Sequence, residues 1–106
     1  MQFEKDMKSE HKELFLKVRS LLLSFEGIEE VKKVRITSYS DVNGGICHLR
    51  TMPYGVDIGF LKGAKMLDDK RVLSGNGKAV RVLKVTNFDE VLIGNYVGMA
   101  LQLNAK

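Results

Sequence analysis

Two stretches bring together the residue types that binding chemistry needs: GVDIGFLKGAKM, residues 55–66, and LSGNGKAVRVLKV, residues 73–85. In the second, Gly75, Asn76, Gly77 and Lys78 lead into a β-prone run that holds Arg81. Successive backbone N–H groups in a glycine turn can cradle an anion, and Lys78 and Arg81 would add positive charge. A P-loop needs G-x-x-x-x-G-K-[ST] opening a helix. Here Ala79 follows the lysine and a strand pattern comes next, so that reading is excluded. No dinucleotide fingerprint is present either. What remains is a tight turn re-entering a sheet, with one candidate ligand site: a small basic pocket of Lys62, Gly75, Gly77, Lys78 and Arg81, with Tyr39 as a candidate wall.

Other reactive side chains make weaker sets. Cys47 and His48 are adjacent in a β-prone run, so their side chains face opposite ways and cannot form a nucleophile–base pair with each other. Cys47 reads as a small buried hydrophobe and His11 as a packed histidine on an apolar helix stripe. With two histidines and one cysteine at unrelated spacing, no structural zinc site is expected. Asp57 lies opposite the apolar face of its strand, and Asp68 and Asp69 fall in a turn. Glu26, Glu29 and Glu30 are the one acidic cluster that could serve a hard cation, though a solvated helix end explains them as well. No catalytic residue set is legible and no cofactor is implied, which points to a non-enzymatic domain.

The positioning elements follow from periodicity. Met7, His11, Leu14, Val18, Leu21, Leu22 and Phe25 form a helical stripe, predicting a helix over residues 9–24 that stops at Gly27. Phe15 and Leu16 widen its apolar arc enough to suggest a partner. Residues 31–39 read as one strand, Asp41 to Gly45 as a turn, and 46–51 as a second strand. Pro53 breaks the pairing. Val56, Ile58 and Phe60 then alternate on one face of a third strand, where Gly59 suggests a bulge or a close backbone approach. Residues 62–77 connect to a fourth strand, 80–85, with Val80, Val82 and Lys84 on one face. At most one turn of helix is expected near 64–67, and Leu73 dips into the core. Asn87 with Glu90 resembles a capping box for a last helix running to Asn104. Phe88, Val91, Leu92, Met99 and Leu103 define its expected inner face, and Gly94 and Gly98 imply close packing against a neighbouring element. The expected fold is α+β: an antiparallel sheet of about four to five strands, with N- and C-terminal helices packed on one face.

Tyr54 to Ala64, Leu67-Asp68-Asp69, Leu73 to Lys78 and Arg81 to Lys84 together resemble, in the same order, the signature of the YdhG-like (DUF1801) domain family. The resemblance covers residues 54–85 and is thin outside them. It departs where Asp69 stands in place of proline and where Val82 follows Arg81 in place of histidine. The resemblance implies a small bacterial cytoplasmic α+β domain. Some longer relatives are described as frataxin-like iron chaperones, which makes an iron-binding role through surface carboxylates the alternative reading. The absent histidine weakens any metal or acid–base role built on it.

The bulk numbers bound the rest. A chain of 106 residues, 44% hydrophobic and 28% charged, fits one globular domain spanning 1–106. No run of about 18 apolar residues spans a membrane, and no apolar leader with a cleavage site opens the chain. The single cysteine suits a reducing, cytoplasmic compartment. The net charge of +4 comes from scattered lysines and arginines rather than from one stripe, so nucleic acid is not the expected partner. The expected partners are a small anionic ligand and a second copy of the chain, the latter through the first helix or the Gly94–Gly98 line.

Overall fold

The strand and helix boundaries follow the turn chemistry of the chain, and the computed structural model describes residues 1–106 throughout. The elements run α1 (Gln2–Met7), α2 (Lys12–Leu23), β1 (Glu29–Lys32), β2 (Thr37–Asp41), β3 (Gly44–Met52), β4 (Gly55–Phe60), a one-turn 3-10 helix (Gly63–Lys65), β5 (Leu73–Ser74), β6 (Arg81–Val85) and α3 (Glu90–Asn104). The strands form one six-stranded sheet in the order β1-β2-β3-β4-β6-β5, every pairing antiparallel. The α+β class and the antiparallel sheet hold, with more strands than the sequence suggests. The difference has two sources: residues 31–39 split into the β1–β2 hairpin, and Leu73-Ser74 pairs with β6. Val34 sits at the hairpin tip and is 72% exposed, so its β propensity is overridden by the turn that Lys33 N and Ile36 O close at 2.9 Å.

Register defines the two faces. Thr37, Tyr39, Cys47, Leu49, Val56, Ile58, Phe60, Leu83 and Val85 point to the helix layer and are buried. Ser38, His48, Arg50, Asp57, Val82 and Lys84 point to the other face, where antiparallel sheets meet water. The Val56–Ile58–Phe60 alternation is borne out. In β6 the buried residues are Leu83 and Val85, not the Val80–Val82–Lys84 set. Val85 is opposite Val56 and Leu83 is opposite Ile58, and that pairing decides the face.

The helices are rotated relative to the sequence stripes. In α2 the fully buried residues are Phe15, Val18 and Leu22, while Leu14 and Leu21, and Phe25 just beyond the helix, are half-buried. Phe15 therefore belongs to the core and is not a free partner surface. Its ring meets Phe3 of α1 edge-on, centroids 5.8 Å apart. In α3 the inner face is Ile93, Tyr96, Val97 and Ala100, and Val91 is 72% exposed. The N-cap of α3 is Asp89, whose carboxylate accepts from Leu92 N, rather than Asn87. Gly94 and Gly98 have no close neighbour: a Cβ added at either meets nothing within 4 Å.

Candidate functional site

The loop between β4 and β5 brings the two glycine-rich stretches together. Phe60 pairs with Arg81 in the sheet, and the chain then folds back so that Ala64 N donates to Ala79 O at 2.8 Å. This return needs Gly63. A Cβ there would lie 2.5 Å from Arg81 Cβ and 2.6 Å from Arg81 N. Lys62 and Arg81 are thus on adjacent segments, as the sequence suggests. Lys62 and Lys78 are exposed and Arg81 is half-buried.

Gly75 takes φ +120°, a backbone region that L side chains rarely adopt. Gly77 has no such requirement, and the nearest atom to a Cβ added there is Val80 O at 4.0 Å. The turn engages the Arg81 side chain through a backbone carbonyl. It turns the Gly77 carbonyl toward Arg81, whose Nη1 donates to Gly77 O and, at 3.0 Å, to Val80 O. That clamp leaves Nε and Nη2 without a protein acceptor. These two nitrogens are one edge of the planar guanidinium, the edge that matches two oxygens of a carboxylate or phosphate.

Arg81 lines a cavity of about 170 Å³ with Gly63, Ala64, Met66, Asp68 and Leu73. Asp68 is the one carboxylate there, and both its oxygens are engaged. Oδ1 accepts from the Tyr96 hydroxyl at 2.6 Å and from Val72 N at 3.0 Å, and Oδ2 accepts from Leu73 N at 3.0 Å. Burial works to raise its pKa, but the bonds from Tyr96 and the backbone of Leu73, Val72 and Arg71 outweigh it and hold the carboxyl below its ordinary value.

Tyr39 does not join this corner. It is fully buried on β2, three strands from β6 and so about 14 Å away across the sheet. Its hydroxyl donates to Glu30 Oε2 at 2.7 Å. Glu30 also takes a forked ion pair from Arg19, Nε–Oε2 2.6 Å and Nη2–Oε1 2.8 Å. Of the acidic cluster, only Glu26 and Glu29 remain exposed and unengaged, and no group of three or more potential metal ligands converges anywhere in the chain.

Cys47 is fully buried under the helices, which pushes its thiol far up in pKa. His48 faces the opposite side. Its ring sits over Gly59, where a Cβ would lie 2.2 Å from Cε1, so Gly59 marks a close approach. Burial, then Arg50, lowers the His48 pKa and outweighs the opposing pull of Asp57. His11 is held through Nε2 at 2.9 Å from Pro53 O.

The corner therefore offers an anchored guanidinium edge, while Lys62 and Lys78 are exposed and do not line its cavity. The feature that sequence reasoning missed is the Gly77 and Val80 carbonyl clamp, which no residue type announces. No helix is long and apolar enough to cross a membrane. Compared with models of known protein families, with curated proteins and with solved structures, the chain matches none.

Proposed function

We propose that this chain is a non-catalytic binding domain for a small ligand bearing a carboxylate or phosphate group, held by Arg81 with Lys62 and Lys78 at the rim. The observation that carries the reading is the clamp on Arg81 Nη1, which leaves Nε and Nη2 free as one bidentate edge. A guanidinium already fixed by its own backbone loses little freedom when an anion binds. The engaged oxygens of Asp68 leave its charge the main opposing influence in the cavity. Membership of the YdhG-like family rests on the residue pattern of 54–85 and belongs to the same proposal, as does a cytoplasmic setting.

The test is a thermal-shift titration with inorganic phosphate and with citrate, against sodium chloride at matched ionic strength. A ligand at 100 times its Kd stabilises by about 2.7 kcal/mol, so a saturable rise in melting temperature is expected. Arg81→Lys, which keeps the charge but not the fork, reduces the rise, and Arg81→Gln removes it. A rise equal to that in chloride, or one that survives Arg81→Gln, overturns the proposal.

A further inference from the structure

Every residue of α3 after Glu90 is uncharged, from Val91 through Asn104, as is the C-cap Ala105. Yet the outer side of this helix faces solvent: Val91 is 72% exposed, and Asn95, Gln102 and Ala105 are exposed too. The outer side of α2, by contrast, carries Glu13 and Lys17. Gly94 and Gly98 are half-buried, border that outer side and weaken the helix relative to alanine. Neither has a positive φ and neither has a neighbour that a Cβ would strike, so nothing inside the chain calls for glycine.

We propose that the outer face of α3 is a self-association surface, on which α3 of a second copy packs antiparallel about a two-fold axis passing beside Gly94 and Gly98. A two-fold axis sets each central residue against its own copy, so the centre of such a surface must be free of charge, because like charges would meet there. α3 meets that requirement. Its midpoint, between the termini Glu90 and Asn104, falls at Val97, and the two glycines flank it. The absence of side chains there lets the two backbones approach closely.

The ends are complementary. The N-terminal end of α3 carries Asp89 and Glu90, with Lys70 beside Asp89. The C-terminal end carries Lys106, with Lys65 beside it. Antiparallel packing brings the acidic end of each copy to the basic end of the other and opposes the two helix dipoles. It also brings Val91 of one copy toward Leu67 of the other, two of the most exposed apolar side chains in the molecule. Val91 lies about 9 Å before the helix midpoint, and Leu67 borders the groove at the far end with Met99 and Leu103. A helix of 15 residues is about 22 Å long, so the contact is small and the dimer dissociates on dilution. The proposal is independent of the Arg81 corner.

Sedimentation equilibrium of the full chain from micromolar to millimolar concentration tests it. A monomer–dimer equilibrium is expected. Asn95→Lys, an exposed position, weakens association about tenfold or more by setting like charges across the axis, and Gly98→Leu weakens it similarly. Glu90→Lys weakens it as well, and adding Lys65→Glu restores most of the loss. Circular dichroism checks that each variant is folded. A monomer at every concentration, or a dimer indifferent to both Asn95→Lys and Gly98→Leu, overturns the proposal.

Discussion

The Tyr96 hydroxyl on α3 donates to Asp68 Oδ1 at 2.6 Å, tying the last helix to the loop that carries the chain from the 3-10 turn to β5. The same arrangement recurs at the other two tyrosines: Tyr39 donates to Glu30 and Tyr54 to Asp57. The Tyr96 pair joins residues far apart in the chain, the Tyr39 pair joins the two strands of the β1–β2 hairpin, and the Tyr54 pair is local; each leaves the tyrosine a bound donor to a carboxylate.

The first prediction concerns these phenols. Burial, and then the carboxylate partner, pushes Tyr54 and Tyr96 up to about 12 and Tyr39 higher still. An ionising tyrosine in an unfolded chain titrates near pH ~10. Folded protein should therefore show no phenolate absorbance step near that pH, and the signal should appear only toward pH 12, along with unfolding. Because the folded values are raised, the contribution to stability is present below pH ~10 and is lost as pH rises from there through the folded values. A step worth one tyrosine near pH ~10 would contradict this.

Tyr96→Phe should cost about 1–2 kcal/mol, since Asp68 loses a bond at a partly buried site. Limited proteolysis should then cut the 66–73 loop faster while β3 and β4 keep their hydrogen-exchange protection. Equal cutting of the variant and the parent chain would remove the loop-holding role from Tyr96.

Glu30 joins α2, β1 and β2 through Arg19 and Tyr39, and the Arg19 bond is the largest influence holding its carboxyl below the ordinary range. A depressed folded pKa stabilises fully above the unfolded value, near pH ~4.3, and the contribution disappears as pH falls through the folded value. Glu30→Gln should lower stability at pH 7 by about 1–3 kcal/mol in urea unfolding. Below pH ~4 the difference from the parent chain should shrink. A gap that stays constant from pH 7 to pH 3 would rule out the charge as its source.

Glycines with opposite surroundings should respond with opposite sign. Gly63→Ala sets a Cβ 2.6 Å from the Arg81 backbone nitrogen and should destabilise by about 1–3 kcal/mol. Gly94→Ala meets open space and should stabilise the monomer by up to about 1 kcal/mol through helix propensity. Thermal melts in dilute solution compare the two directly.

Much of the backbone plan is legible in local residue order. Val56, Ile58 and Phe60 alternate cleanly around Asp57 and Gly59, so β4 and its buried face need no tertiary information. Asp41 to Gly44 encodes the β2–β3 turn because Gly44 tolerates φ +121° and the Asp41 carboxylate accepts from Asn43 N. The approach of the Gly63–Ala64 segment to Arg81 also follows from strand order once β4 and β6 are neighbours.

Other choices are degenerate in the sequence and are settled only by packing. In the 80–85 run, Val80 and Val82 compete with Leu83 and Val85 for the core, and the register of Val56 on Val85 selects the second pair. In α3 nearly every position is apolar, so periodicity cannot name the inner face. Contact with the sheet and α2 selects Ile93, Tyr96, Val97 and Ala100. The state of Arg81 is likewise a tertiary result. Its charge is written in the sequence, but whether that charge is free, paired or clamped depends on where the Gly77 and Val80 carbonyls turn. A backbone carbonyl is the same group in every residue, so only the folded chain decides which arginine it meets.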